Sequence, residues 1–273
     1  REAVTRLHTS PWWTPYLHAP FGVTLLGQTL NPFNGFAALL LPGASLLVAY
    51  NMLVTFSFVM AGVTAFWLAY DVSGEYGGAL IAGYLFTFSG FHFAHAEGHM
   101  QLVSVEWLPL FLLGWLRLLR RPGAGVAAGT ALALLLTLLC DYYYFTYGLL
   151  TDGCAFLWRT WRAGDWRWWW RPGARGPLAL CAALVALRCR PLVGSLALLS
   201  LREPLVGVHN AEEFSLDLLG LVIPGGHWRF ADLSAPFWTR LPGNIHESSV
   251  GIGLATLAVA GYAWAIRRGL GRP

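Results

Sequence analysis

Long apolar stretches separated by short polar segments constrain the fold of this chain more than any other feature. A transmembrane α-helix needs roughly 17 to 25 predominantly apolar residues. Candidate spans lie at about residues 45–70, 77–94, 102–119, 123–140, 143–158, 177–201 and 249–266. The sequence therefore predicts an all-α fold, a polytopic membrane bundle of about seven transmembrane helices.

The composition favours the same class. Hydrophobic residues make up 56% of the chain and charged residues 12%, whereas soluble domains carry about 25% charged residues. The net charge of +4 does not predict nucleic-acid binding, because the arginines form short clusters between apolar stretches and not one solvated face. We expect membrane lipid, and no nucleic acid, as a partner.

The stretch 123–158 is too long for a single span. As one helix it would measure about 54 Å at 1.5 Å per residue, against a hydrocarbon core of about 30 Å. We therefore expect two helices, with a break near Asp141 and the tyrosines that follow it.

The arginines predict the orientation. Clusters follow the third, fifth and seventh spans, and cytoplasmic loops hold the excess of Lys and Arg. Every cluster falls on the cytoplasmic side if the first helix runs from outside to inside. We expect one membrane domain over residues 1–273, with an outer loop at 1–44, six transmembrane helices in 45–201, an outer loop at 202–248 and a last transmembrane helix at 249–268.

The segment FHFAHAEGHMQ, residues 91–101, gathers ionisable side chains at the outer end of the second span. His95 and His99 have the i, i+4 spacing that can hold one metal ion on a helix. A helix break at Gly98 would let Glu97 join them. Three interpretations of this segment remain open, since the order HAEGH is not the HExxH motif. The histidines lie at the membrane interface without a further role, or they belong to a site without a metal, or Glu97, His95 and His99 bind a divalent metal.

Two further acidic residues lie at membrane depth in this topology. Glu106 falls inside the third span, where a carboxylate must be protonated, paired or exposed to a water-filled cavity. Asp141 lies beside Tyr143 at the predicted break, and broken backbone at such depth needs protein or a water-filled cavity around it. Either these residues border an outer cavity and bind substrate, or Asp141 caps a helix within an aromatic belt.

Arg188 and Arg190 lie in the middle of the sixth span. A central arginine costs about 2.5 to 3.5 kcal/mol on insertion scales, so we expect both to contact protein, water or phosphate. One interpretation is a cradle for an anionic lipid headgroup, with bidentate guanidinium contacts to phosphate. The other is that Pro191 splits the segment and the arginines extend toward the interface.

The predicted cytoplasmic loop LWRTWRAGDWRWWWRPGAR, residues 157–175, interleaves tryptophan with arginine. Indole rings favour the membrane interface, and guanidinium groups favour anionic lipid. The loop is typical of a segment in the headgroup layer.

Several phrases resemble bacterial polytopic proteins of the GT-C superfamily of membrane glycosyltransferases. TPYLHAPFG at 14–22 precedes NPFNGFAALLLPG at 31–43, and the run from LLVAYNMLV through FHFAHAEGHMQ to RRP follows. FSLDLLGLVIP at 214–224 and the glutamate before VGIGLATLAVA are similar to the downstream part of such proteins. The resemblance covers most of the chain and rests on segment order.

The resemblance implies an inverting transfer of sugar from a polyprenyl-phosphate-linked donor on the outer face of the bacterial cytoplasmic (inner) membrane. An acidic residue of the first outer loop acts as general base, and the second outer loop often adds another, sometimes with a metal. Glu97 matches the second position. The first-loop acid is either Glu2 or a residue upstream of Arg1. The second option arises because the resemblance implies that this chain is a fragment lacking the first transmembrane helix.

The rival hypothesis is a non-enzymatic transporter or flippase of a lipid-linked substrate. Glu106, Asp141 and Arg188 would then line the pathway. Symmetric repeats, which many transporters have, are not visible in the sequence.

Overall fold

The computed structural model describes residues 2–28, 30–202, 217–226, 228–241 and 251–269. Most of these residues are helical, and the described part contains a single antiparallel pair of two-residue strands. The predicted all-α class is confirmed.

The elements follow one another with short connections. In chain order they are α1 (Glu2–Thr5), β1 (Trp13–Thr14), β2 (Val23–Thr24), α2 (Pro32–Ala37), α3 (Leu46–Ser73), α4 (Tyr76–Thr87), α5 (Gly90–Ala96), α6 (Met100–Val103), α7 (Trp107–Arg120), α8 (Ala124–Cys140), α9 (Tyr142–Ala163), α10 (Pro172–Arg202), α11 (Ala231–Trp238) and α12 (Leu254–Gly269). Contacts divide the chain into two compact units. The first comprises Arg1–Gly83 with Met100–Leu205, and the second Tyr84–His99 with Val206–Pro273.

Side-chain caps explain where several helices begin. Ser45 accepts the backbone N–H of Val48 at the start of α3, and Asn31 accepts that of Asn34 at the start of α2. In α2 the first helical residue is Pro32, whose missing N–H costs nothing there. Each cap satisfies a backbone donor that the helix itself cannot pair.

In the first unit, α8 packs against α7 on one side and α10 on another, while α3 packs on α7. Small and branched apolar side chains form these contacts. They include Leu118, Ala127, Ala131 and Cys181 in one cluster, and Phe111, Ala133 and Leu134 in another. At the far ends of α3 and α7, both Arg117 and Arg120 pair with Asp71.

The number of membrane spans differs from the prediction. Within the described residues, only α3 and α10 are both long and apolar enough to cross a membrane. At 28 and 31 residues they measure about 42 Å and 46 Å. The helices Ala124–Cys140 and Leu254–Ile266 are apolar but shorter. Seven spans are therefore not confirmed.

Two predicted spans are interrupted. The span at 77–94 is wrong as one helix, because α4 ends at Thr87 and Ser89 starts α5 by accepting the backbone N–H of His92 at 3.3 Å. The span at 102–119 is also wrong in its first turn, since α6 ends at Val103 and α7 begins only at Trp107.

Other boundaries agree with the sequence or correct it. The break at Asp141 is confirmed, because α8 ends one residue before it and α9 begins one residue after it. The interpretation that Pro191 splits the sixth span is wrong, since α10 continues through Pro177 and Pro191. A proline removes only one helix hydrogen bond, and the flanking turns keep theirs.

Gly114 of α7 allows the close approach of α8. A Cβ atom there would lie 2.6 Å from Thr130 Oγ1 and 3.2 Å from Thr130 Cα. Gly129 of α8 provides a matched control, because a Cβ atom there would meet nothing within 4 Å.

We predict that Gly114→Ala destabilises the protein by about 1–3 kcal/mol, because the added methyl group forces α7 and α8 apart. Gly129→Ala is expected to be neutral or stabilising by up to about 1 kcal/mol, since alanine favours the helix. The apparent Tm of each full-length variant in the same detergent measures the difference. Equal Tm values for the two variants would contradict the close contact.

Candidate functional site

Glu106 lies in the interior of the first unit with its side chain fully buried. Its Oε2 lies 2.7 Å from Ser57 Oγ of α3, and Ser57 Oγ also lies 2.7 Å from the carbonyl oxygen of Val103. The thiol of Cys140, at the end of α8, lies 4.0 Å from Oε1. One carboxyl group thus connects three parts of the chain.

The hydroxyl of Ser57 cannot donate to both of its neighbours. A serine hydroxyl has one hydrogen to donate, and a carbonyl oxygen can only accept. If Ser57 donates to Val103, the bond to Glu106 requires that the carboxyl group donate. The neutral acid therefore satisfies both contacts, which agrees with the expectation that a carboxyl group at this position is protonated or paired.

Asp141 is also buried, and it caps α9. Its Oδ1 accepts the backbone N–H groups of Tyr143 at 2.7 Å and Tyr144 at 3.0 Å. This confirms the capping interpretation, since a side-chain acceptor satisfies the unpaired donors of a helix start. Tyr144 donates its hydroxyl to the carbonyl of Leu102 at 2.6 Å, whereas the ring of Tyr143 is exposed.

Glu106 and Asp141 therefore belong to one region, since Cys140 contacts the first and precedes the second. Arg188 and Arg190 are placed differently, on exposed positions of α10. Arg188 borders a shallow apolar groove beside α8, lined by Ala128, Ala131, Leu132, Leu135 and Leu184. Neither arginine forms an ion pair within the described part of the chain.

A second polar cluster, not predicted from the sequence, lies at the same junction. Ser104 Oγ accepts the side-chain amides of Asn31 at 2.9 Å and Asn34 at 2.8 Å, and donates to the carbonyl of Met100. Asn34 Oδ1 is buried without a partner in the described structure. The sequence offered one indication of this cluster, the segment NPFN at residues 31–34. Asn31 is a typical helix N-cap, and Asn34 places a second polar amide at the start of an apolar stretch.

Asp152 in α9 was missed as well. Its side chain is buried, and within the described residues Oδ1 has no hydrogen-bond partner. Its backbone carbonyl accepts the indole N–H of Trp115 at 3.2 Å. An acidic residue inside an apolar stretch was the available signal.

The histidine segment lies in the second unit. His95 is buried, and its Nδ1 lies 3.3 Å from Nδ1 of half-buried His99. The helix α5 ends at Ala96, and Glu97 and Gly98 form an exposed turn after it. Of the two possibilities that the sequence left open, the structure has the helix break at Glu97–Gly98, and Glu97 is exposed between His95 and His99 in the sequence.

Metal binding by this segment stays a prediction. The described residues contain no group of three or more His, Cys, Asp or Glu side chains placed to hold an ion. The side chain of Glu2, the other candidate acid, lies outside the described part of the structure.

Each unit also contains an apolar cavity. A cavity of about 280 Å³ in the N-terminal segment is lined by aromatic rings that include Trp12, Trp13, Tyr16 and Phe36. A cavity of about 330 Å³ in the second unit is lined by residues that include Tyr84, Phe88, Trp228 and 251–256. The cavity of the second unit lies at the lower end of the roughly 300–1,000 Å³ that is usual for small-molecule sites.

No family model, curated protein or solved structure matches the chain.

We predict that Glu106→Gln changes the free energy of unfolding by less than about 1 kcal/mol, because the amide can donate to Ser57 as the neutral acid does. Glu106→Ala is expected to cost about 2–4 kcal/mol, since it leaves a cavity in a packed interior. Chemical unfolding of both full-length variants in one detergent measures the difference. A loss with glutamine as large as with alanine would contradict the neutral acid.

Proposed function

We propose that the protein is a membrane glycosyltransferase-like protein that transfers a sugar from a polyprenyl-phosphate-linked donor at the outer face of the cytoplasmic membrane. The observation that carries the proposal is the exposed turn at Glu97. This turn follows the end of α5 and connects His95 to His99, whose Nδ1 atoms lie 3.3 Å apart. The resemblance to the GT-C superfamily implies an acidic residue at this position.

The resemblance gives the general base to a first-loop acid; our proposal for this chain is that Glu97, the second-loop acid, takes that role. Its carboxylate accepts the proton of the acceptor hydroxyl while that oxygen attacks the anomeric carbon of the donor. The new carbon–oxygen bond forms as the bond from the anomeric carbon to the lipid phosphate breaks, and the polyprenyl phosphate leaves with the bonding electrons. An exposed carboxylate suits this role because the acceptor must reach it from solvent.

The aromatic cavity of the second unit supports the proposal, because it belongs to the same unit as Glu97. Tyr84, Phe88 and Trp228 provide apolar walls, and Ser89 and Thr256 add hydroxyl groups. Predominantly apolar walls with a few polar groups are typical of pockets that orient a small ligand.

The histidine pair is compatible with a divalent metal ion as a further component. The two Nδ1 atoms lie 3.3 Å apart, within hydrogen-bonding distance, and imidazole nitrogens are common ligands of divalent metals. His95 and His99 would supply two ligands, and Glu97 would have to move toward them to supply a third, since the described residues contain no such group of three. A bound ion would stabilise negative charge on the departing phosphate.

The transporter alternative has less support from the described contacts. It needs Glu106, Asp141 and Arg188 along one pathway. Glu106 and Asp141 instead hydrogen-bond within the packed interior, and Arg188 lies on an exposed position of α10. These placements favour structural roles for both acids.

We predict that Glu97→Gln lowers sugar transfer by about 100-fold or more, the usual contribution of a general base. The assay uses full-length protein in lipid nanodiscs and a radiolabelled polyprenyl-phosphate sugar. Glu75→Gln is the matched control, since Glu75 is an exposed acid in the turn between α3 and α4, and it should retain full activity.

Two results would count against the proposal. Undiminished transfer by Glu97→Gln would remove Glu97 from the mechanism. No transfer by any full-length preparation, together with movement of the lipid-linked sugar across proteoliposomes, would favour the transporter.

A further inference from the structure

The connection between α9 and α10 presents tryptophan and arginine side chains on one folded turn. We call residues 158–175 the Trp–Arg turn; they include the end of α9, a 3-10 helix at Trp168–Trp170 and the start of α10. Four indole rings in it are between 55% and 67% exposed: Trp158, Trp161, Trp166 and Trp170. So many exposed indoles mark an interaction surface, since large apolar patches are rare on free protein surfaces.

One buried tryptophan holds the turn in shape. The ring of Trp168 is 5% exposed, packs in a cluster with Leu119 and Ala174, and donates its N–H to Thr160 Oγ1 at 2.9 Å. The guanidinium of Arg159 lies 5.2 Å from the centre of the same ring. The exposed side chains are therefore displayed by a folded scaffold.

The charge of the turn is strongly positive. It contains five arginines and one acidic residue, Asp165. Asp165 pairs with Arg171 at 2.7 Å. Arg162, Arg167 and Arg175 are exposed and form no ion pair within the described part of the chain.

We propose that the Trp–Arg turn is a binding surface for anionic phospholipid headgroups. Exposed indole rings favour the boundary between headgroups and acyl chains, and guanidinium groups form bidentate contacts with phosphate. The turn also includes Pro172, where α10, an apolar helix of membrane-crossing length, begins. This continuity favours a lipid surface over an acidic protein as the partner of the turn, because the indole rings and the apolar helix α10 would then enter the same bilayer.

The inference does not depend on the transferase proposal, since it concerns a different set of residues. Its test uses full-length protein in detergent, titrated with phosphatidylglycerol or phosphatidylcholine and followed by native mass spectrometry. We expect tighter binding of phosphatidylglycerol. The variant Arg162→Gln/Arg167→Gln/Arg175→Gln should weaken phosphatidylglycerol binding about 10-fold or more and leave phosphatidylcholine binding unchanged.

The matched control is Arg6→Gln/Arg229→Gln/Arg240→Gln, which removes the same charge from other parts of the chain. It should bind phosphatidylglycerol as the unmodified protein does. Equal losses of phosphatidylglycerol binding in both triple variants would mean that total charge alone attracts the lipid. No loss of binding in the turn variant would mean that these arginines do not bind the lipid. Either result would overturn the proposal.

A second measurement does not require the triple variant to fold. Indole fluorescence of the unmodified protein in nanodiscs should be quenched more by brominated phosphatidylglycerol than by brominated phosphatidylcholine. Trp166→Phe/Trp170→Phe should reduce that difference. Equal quenching by the two lipids, or saturable binding of polyglutamate without any lipid preference, would assign the turn to another partner and overturn the proposal.

Discussion

The buried carboxyl group of Glu106 is the interaction on which the arrangement of the first unit depends. It joins Ser57 in the middle of α3, the chain before α7 and the end of α8. A polar group taken out of water without a partner is costly, so these contacts select one alignment of the helices. Ser104, two residues earlier, binds Asn31 and Asn34 and attaches the N-terminal segment to the same junction.

Packing around this junction relies on small side chains. Gly114 faces Thr130 between α7 and α8, and Ala127 and Ala131 lie in the core beside α10. Small residues let helix backbones approach closely, which matters most in membranes because lipid gives little hydrophobic drive for helix association. Polar contacts thus specify the alignment of the helices, and close packing supplies contact area.

Buried and exposed polar residues have different consequences for function. Glu106 and Asp141 have hydrogen-bond partners that explain their presence as structural elements. Glu97 and three arginines of the Trp–Arg turn, Arg162, Arg167 and Arg175, are exposed, so a substrate or lipid can reach them. The proposed chemistry therefore belongs to the turns between helices, while the helix interior provides the scaffold.

The sequence by itself determined the helical class, the break at Asp141 and the turn at Glu97–Gly98, because apolar length, a capping aspartate and a helix-breaking glycine act locally. It did not predict the interruption at Ser89, and it left open whether Pro191 splits the sixth span, since a cap and a proline each have more than one allowed outcome. Only the tertiary structure decided that Glu106 pairs with Ser57, which is 49 positions away. Apolar periodicity can place a residue on a helix, but the partner of a buried polar group depends on how distant helices align.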